Sequence, residues 1–355
     1  MSENNFPIMQ QDNAKGATAL QAQVVNVYSN GITEEKCREI CLSVYKDNIM
    51  SLQDEAKDIA CQRVERLTDM FIEKLSRQDD EIRKKIEEQL KEPSMQEAIF
   101  KSQKCYAMSN DEDHLKILTD MLIDRGSISQ RTNKQMLIDE AIDVLPRLNQ
   151  KHLDILAFYI SITFSHKFYT KKVIEADIKE LIHYMKCILP IKRDDANLQY
   201  LAQKNCLIMH TGLQQLKGLN QILGERIRLL HSGFPKNDYD NLISINIPEI
   251  PFVNSLIKPE NVVINMALEE LQNLLKNKNV DKENYDNIIH FWHRNDGEND
   301  LALIKDYIIT NFEDGILLFD NWQNFENYTA SILGMVIAQA YFRTYYQTII
   351  NWNFE

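Results

Sequence analysis

Apolar residues recur at helical spacing between Leu52 and Leu75, and this periodicity constrains the fold more than any other feature of the chain. The stripe consists of Leu52, Ala56, Ile59, Ala60, Val64, Leu67, Phe71 and Leu75, and the opposite face is charged. Such a pattern indicates an amphipathic helix that buries one face. Residues that interrupt helices are scarce, with 10 glycines and 8 prolines among 355 residues. The sequence therefore predicts a mainly α fold, with a multi-helix, bundle-like body and a short N-terminal β segment.

The N-terminal β segment is predicted within GATALQAQVVNVYSNGIT, residues 16–33. Residues 17–28 read as a strand, and an Asn-Gly turn signal follows them. Neither face of this strand is wholly polar, so its register is weakly specified, and such strands pair with copies of themselves. An intrachain alternative stays open, because LISINIPEIPFV, near residues 242–255, also alternates. The residues predicted to mediate self-association are Leu20, Gln21, Ala22, Gln23, Val24, Val25, Val27 and Tyr28.

Changes of composition along the chain predict four parts. Residues 1–32 form a flexible leader with the self-association segment, and residues 33–190 form an N-terminal helical domain. Residues 191–261 form a junction and a Pro-containing loop region, since residues 232–261 hold four of the eight prolines. Residues 262–355 form a C-terminal helical domain.

Local signals refine three of the helices. A capping box of Ser109 and Glu112 predicts the start of a helix that ends at Gly126. Helical patterns over residues 262–277 and 322–349 predict the first and last helices of the C-terminal domain.

The charge and the cysteine pattern limit the classes of partner. A net charge of −12 disfavours indiscriminate binding to nucleic acid or to membrane surfaces. The longest apolar runs, residues 155–164 and 330–342, are shorter than the ~20 residues that a membrane span requires, so they are predicted to be buried core helices. The six cysteines include no CxxC pair, and the N-terminus has no secretion signal. We therefore predict a cytoplasmic protein with reduced thiols and no membrane association.

No motif for catalysis or cofactor binding occurs in the sequence. Phosphate-binding glycine loops and the GxSxG nucleophile motif are missing. His290 and His293 form the one close histidine pair, a weak metal candidate because zinc proteases use HExxH and here Phe291 and Trp292 intervene. No cofactor is predicted, and the sequence leans against an enzyme.

The C-terminal segment is rich in aromatic residues. Interface cores are enriched in tyrosine, tryptophan and phenylalanine, so docking onto a partner chain is one interpretation and an intramolecular core is the other. The candidate interface residues are Tyr341, Phe342, Tyr345, Tyr346 and Trp352.

The leader DNAKGATALQAQVVNVYSNGIT, followed at once by the helical segment from Glu34 to Leu75, resembles a family of uncharacterised bacterial proteins. Those proteins carry a short Gln- and Val-rich β-type tag ahead of a helical body. SILGMVIAQAYFR, residues 331–343, is similar to the closing helix of that family. Relatives of the tag resemble the receptor-interacting homotypic interaction motif, an amyloid-forming signal segment, and these relatives occur in bacterial anti-phage defence systems. Leu20-Gln21-Ala22-Gln23 would be its core, with Gln23 in place of the motif's glycine.

These observations lead to one functional hypothesis with two alternatives. The hypothesis is a cytoplasmic, homo-oligomerising interaction protein of anti-phage defence or stress response, whose N-terminal strands pair between protomers and whose body binds a protein partner. The first alternative is a metal-dependent hydrolytic effector such as a nuclease, with an acidic site assembled in the fold. The second is a regulator that binds nucleic acid through its C-terminal helices.

Overall fold

The computed structural model describes residues 33–46, 54–163, 170–192, 195–210, 217–293 and 298–346. Within these ranges α-helices dominate and the strands are three residues long, which confirms the predicted mainly α fold. The predicted N-terminal strand lies outside the described residues. The helices are α1 (Glu34–Lys46), α2 (Asp54–Ser76), α3 (Asp80–Gln89), α4 (Pro93–Ser109), α5 (Glu112–Gly126), α6 (Asn133–Val144), α7 (Gln150–Thr163), α8 (Lys171–Ile188), α9 (Ala196–Gln203), α10 (Leu219–Arg226), α11 (Lys236–Leu242), α12 (Leu268–Asn277), α13 (Lys282–His293), α14 (Glu298–Asn311), α15 (Ile316–Trp322) and α16 (Ile332–Tyr346). The strands are β1 (Leu207–Met209), β2 (Phe252–Asn254), β3 (Val262–Ile264) and β4 (Tyr328–Ala330).

Helix α2 buries most of the predicted apolar stripe. Its inner face carries Val64, Leu67 and Phe71, each 1% exposed, and packs against α1, α4 and α5. Ala56 and Ile59 were assigned to the same stripe but are exposed, Ile59 to 50%, and Leu52 lies outside the described residues. The helical period therefore predicted correctly that this segment is a helix and which of its faces is buried. It made the buried face too wide.

The N-terminus of α5 is capped differently from the prediction. The Asp111 carboxylate accepts hydrogen bonds from the backbone N–H groups of Asp113 and His114, at 2.9 and 3.0 Å. Ser109 is instead the last residue of α4, which Asn110 ends with a left-handed conformation at φ 52°. The predicted Ser109–Glu112 capping box was therefore wrong, whereas α5 ends at Gly126 as expected.

The main hydrophobic core joins the N-terminal helices to the C-terminal end of the described chain. Helix α16 packs against α5, α6 and α7, and α7 packs against α8. The apolar runs in α7 and α16 contribute buried residues to this core, which confirms that they are core helices. Among the described helices, none is long and apolar enough to cross a membrane.

A smaller hydrophobic core lies between residues 234 and 291. It combines Phe234 and Tyr239 from the Pro-containing stretch with Leu271 and Leu275 of α12 and Phe291 of α13. Strands β2 and β3 form an antiparallel pair inside it, on opposite sides of the predicted boundary at residues 261 and 262. The division into four parts stays a prediction, and hydrophobic packing groups side chains from both sides of that boundary.

Two predicted C-terminal helices contain strands. Residues 262–264 form β3, and the helix begins only at Leu268. The predicted helix over 322–349 is interrupted by β4, which pairs antiparallel with β1 so that Leu207 faces Ala330 and Met209 faces Tyr328. The pairing of β1 with β4 joins segments far apart in the sequence and leaves no local pattern, whereas β3 pairs with β2 only a few residues earlier; helical periodicity misassigned both stretches.

Candidate functional site

The predicted histidine pair lies in the last turn of α13. His290 and His293 are both exposed, and Trp292 between them anchors the helix. The indole N–H of Trp292 donates to the carbonyl of Met266 at 2.9 Å, and the Arg228 guanidinium stacks 3.9 Å from the centre of its ring. Within the described ranges, no group of three or more histidine, cysteine, aspartate or glutamate residues is arranged to hold a metal ion.

The aromatic C-terminal residues divide into two sets. Tyr341 and Phe342 are 4% and 6% exposed and belong to the intramolecular core, since α16 packs on α5, α6 and α7. The side chains of Tyr345 and Tyr346, and the whole of Trp352, lie outside the described residues. A role in an interface stays a prediction for these last three.

Tyr341 takes part in a polar cluster beneath α16. Its hydroxyl donates to Asp154 at 2.8 Å, and the Gln150 amide donates to the same carboxylate oxygen at 3.0 Å. Burial raises the pKa of the Asp154 carboxyl, although these two hydrogen bonds lower it. The sulfur of Cys187 lies 3.7 Å from Nε2 of His183 nearby.

The Cys187–His183 pair does not form an activated nucleophile. Burial and the charge of Asp154 both raise the pKa of the Cys187 thiol. A nucleophilic cysteine needs the thiolate, which positive surroundings or a helix N-terminus favour. Cys187 instead lies in the last turn of α8, where the helix dipole disfavours an anion.

A polar cleft of about 730 Å³ lies where the end of α3, the start of α4, the end of α5 and the start of α6 meet. Two arginines, two serines and further polar residues line it, and Met136 is the apolar side chain among them. The polar lining includes Gln89, Ser94, Arg125, Ser129, Arg131 and Asp139. This cleft is the best candidate for a binding site in the described part of the chain, because polar side chains from four helices converge on one concave surface.

Helix boundaries bring these side chains together. Pro93 begins α4 directly after the short turn that ends α3, which places Ser94 opposite Gln89. Thr132 caps α6 by accepting a hydrogen bond from the N–H of Gln135 at 3.2 Å. The first turns of α4 and α6 therefore both border the cleft, and the partial positive charge of a helix N-terminus favours anions there.

Arg125 is fully buried at the base of this cleft, with 0% of the residue exposed. Its Nε–H donates to Asp139 at 3.0 Å, and one terminal nitrogen donates to the Ser94 hydroxyl at 3.0 Å. The other terminal nitrogen reaches the Gln89 side-chain oxygen at only 3.4 Å, the outer limit of a hydrogen bond. Since a guanidinium has five N–H donors, two of them have no acceptor among the described residues.

Arg131 supplies a second guanidinium at the rim. It is exposed and forms no ion pair with any described residue. Glu92 and Asp139 balance the two arginine charges within the lining. The arrangement suits binding of a small polar molecule, because it offers many donors and has neither an aromatic platform nor an extended apolar wall.

A protein-family model with the description ":-like" matches residues 31–355. The chain belongs to this family. The match starts just before α1 and includes all of the described residues, whereas Leu20–Tyr28 precede it. No curated protein and no solved structure matches the chain.

The sequence reasoning missed the cleft, although one signal pointed to it. Arg125 follows Leu118, Met121 and Leu122 by seven, four and three residues, so it continues the apolar stripe of α5. A charged residue at a position that the helical period assigns to the core needs partners or a function. The partners could not be identified in advance, because they come from α3, α4 and α6.

Glu180 of α8 is a second perturbed group, located between α7 and α8. Its pKa is raised to about 7, chiefly by burial and in smaller part by the charge of Asp177, while the hydrogen bond from Ser161 at 2.9 Å acts in the opposite direction. The folded state therefore holds a proton at Glu180 that the unfolded chain releases at lower pH.

Replacing Glu180 with glutamine is expected to reduce the pH dependence of stability. In the wild type, the folded state binds more protons than the unfolded state between about pH 4.5 and 7, so stability falls as the pH rises through this window. Glu180→Gln removes that loss and should be more stable than the wild type by about 3 kcal/mol at pH 8, with little difference at pH 4.5. Urea unfolding at both pH values measures this, with Glu175→Gln on the same helix as the control. A difference that does not change with pH would contradict the assignment.

Proposed function

We propose that this protein is a cytoplasmic, homo-oligomerising interaction protein of bacterial anti-phage defence or stress response. Assembly occurs through pairing of residues 17–28 between protomers. The observation that carries the proposal is the position of this alternating segment. It directly precedes the family-matched body, residues 31–355, as an appended segment would.

Backbone chemistry explains why such a segment seeks a partner. The N–H and C=O groups of a strand need acceptors and donors, and identical strands supply them in register. Side chains of Gln21 and Gln23 can form ladders between stacked copies. Many weak strand contacts, each tethered to a folded body, give an assembly whose avidity exceeds that of a single contact.

Packing in the small core supports an intermolecular partner over the intrachain alternative. Residues 252–254 of the proposed partner stretch already pair with residues 262–264. Ile243, Ile247 and Ile250 of the same stretch are buried in the small core. Only the edge of β2 that faces away from β3 could accept a further strand, whereas another copy of residues 17–28 offers two free edges.

A double substitution in the full chain, Val24→Pro with Val25→Pro, is expected to abolish the assembly. Proline lacks the backbone N–H, and adjacent residues in a strand direct their N–H groups to opposite edges, so the pair blocks both edges. Light scattering should give an oligomer for the wild type and a monomer for this variant.

The matched control is Asn13→Pro with Ala14→Pro, which makes the same change outside the predicted strand. It should retain the mass of the wild type. Equal masses for all three proteins would contradict self-association through residues 17–28. Circular dichroism verifies that the helical body is intact in each protein.

The hydrolytic and nucleic-acid alternatives stay predictions. A metal-dependent hydrolase should bind Mn²⁺ or Mg²⁺ in calorimetry, since such enzymes rely on the metal. A nucleic-acid-binding regulator should show affinity that falls steeply with salt concentration.

A further inference from the structure

We propose that the cleft between α3–α4 and α5–α6 binds a small polar molecule through its oxyanion, a carboxylate or a phosphoryl group. Arg125 at the base and Arg131 at the rim are the residues that recognise it. This inference is independent of self-association, because residues 17–28 take no part in the site.

The incomplete coordination of Arg125 is the first observation. A buried guanidinium loses its hydration, so each N–H without an acceptor is costly. Its one carboxylate partner, Asp139, binds Nε and leaves the two terminal nitrogens to the Ser94 hydroxyl and to a 3.4 Å contact with Gln89. These two terminal nitrogens form the fork of the guanidinium, which matches a carboxylate or a phosphate best. The fork therefore has the weakest partners.

The cover over this fork is movable, which is the second observation. Ser94 is exposed and Gln89 is partly exposed. Both side chains therefore border the cleft on one side and contact Arg125 on the other. Gln89 forms the weaker of the two hydrogen bonds. Rotation of its flexible side chain would expose the guanidinium to a ligand without movement of the backbone.

The rest of the lining selects the ligand class. Arg131 is a second, exposed guanidinium without an ion-pair partner among the described residues, and Ser129 adds a hydroxyl. Glu92 on the same surface disfavours a ligand with several negative charges and favours one that also carries a donor group. A volume of about 730 Å³ accommodates a metabolite-sized molecule.

Isothermal calorimetry of the full chain at constant ionic strength tests the proposal with two probes, inorganic phosphate and glycolate, which has one carboxylate and a hydroxyl donor. We expect saturable binding of at least one probe, with a dissociation constant of about 1 mM because each is a small fragment of a natural ligand. Binding of phosphate alone assigns a phosphoryl ligand, and binding of glycolate alone assigns a carboxylate. Binding of neither probe at 50-fold higher concentration, about 50 mM, would overturn the proposal.

Variants separate the cleft from general anion binding. Arg131→Gln should weaken binding at least tenfold, whereas Arg147→Gln, the same change at an exposed arginine outside the cleft, should have no effect. Equal affinities for the wild type and Arg131→Gln would exclude this site.

Substitutions of Gln89 test the cover itself and should act in opposite directions. Gln89→Ala opens access to the Arg125 fork and should tighten binding several-fold. Gln89→Glu places a competing carboxylate on that fork and should weaken binding at least tenfold. The same sign for both substitutions would show that Arg125 does not contact the ligand.

Discussion

Replacing Gly334 with alanine is expected to lower the free energy of unfolding by about 3 kcal/mol, although alanine is the better helix former by ~1 kcal/mol. Gly334 lies in the first turn of α16, where the backbone of Cys206 crosses the helix. A Cβ atom here would lie 2.0 Å from the Cys206 carbonyl oxygen and 2.9 Å from its carbonyl carbon. Both are backbone atoms that no rotamer change can move.

The clash would also disturb two hydrogen bonds at the start of α16, one to the residue before β1 and one within the cap of the helix. The N–H of Ser331 donates to the Cys206 carbonyl at 3.0 Å, and the Ser331 hydroxyl accepts from the N–H of Gly334 at 3.0 Å. Displacing α16 would strain both contacts together with the β1–β4 pair. Urea unfolding of the variant measures the combined loss.

Gly218→Ala is the matched control for this measurement. Its added Cβ would meet the side-chain oxygen of Asn220 at 2.8 Å, and, apart from its chain neighbours, no backbone atom of the described residues lies close to it. The control should change stability by less than about 1 kcal/mol. A gain in stability for Gly334→Ala, as helix propensity alone predicts, would contradict the close approach of α16 and Cys206.

Truncation of Phe158 to alanine is expected to cost 3–5 kcal/mol, roughly the range for a fully buried phenylalanine. The residue is 0% exposed in the centre of α7. Its ring lies 5.0 Å from that of Phe325 and 6.5 Å from that of Trp322, centre to centre. The substitution would leave a cavity where the N-terminal helices meet the segment between α15 and β4.

Phe319→Ala provides the comparison for Phe158→Ala. Phe319 is only partly buried at the edge of the same core, so its loss should cost about 1 kcal/mol. Near-ultraviolet circular dichroism during urea unfolding measures both the stability and the aromatic packing. Similar losses for the two variants would mean that α7 and the segment after α15 do not share one core.

The fold was predictable to the extent that it depends on local periodicity. The stripe of α2 and the apolar runs of α7 and α16 identified core helices from residues only a few positions apart. The candidate site was not predictable in this way. Asp139, Ser94 and Gln89 each look ordinary within their own helix, and Arg125 on the apolar stripe of α5 signals a need for partners without identifying them, so only the convergence of the four residues makes a site.

The sequence by itself determined that this chain forms helices, because side chains three and four residues apart meet on one helix face whatever the rest of the fold does. It also placed an alternating segment, residues 17–28, ahead of that body. The tertiary structure alone decided the pairing of β1 with β4, the return of α16 to the N-terminal helices and the burial of Arg125 under Gln89 and Ser94. These contacts join residues far apart in the chain, and their free energy comes from packing and hydrogen bonding between elements, which no local pattern records.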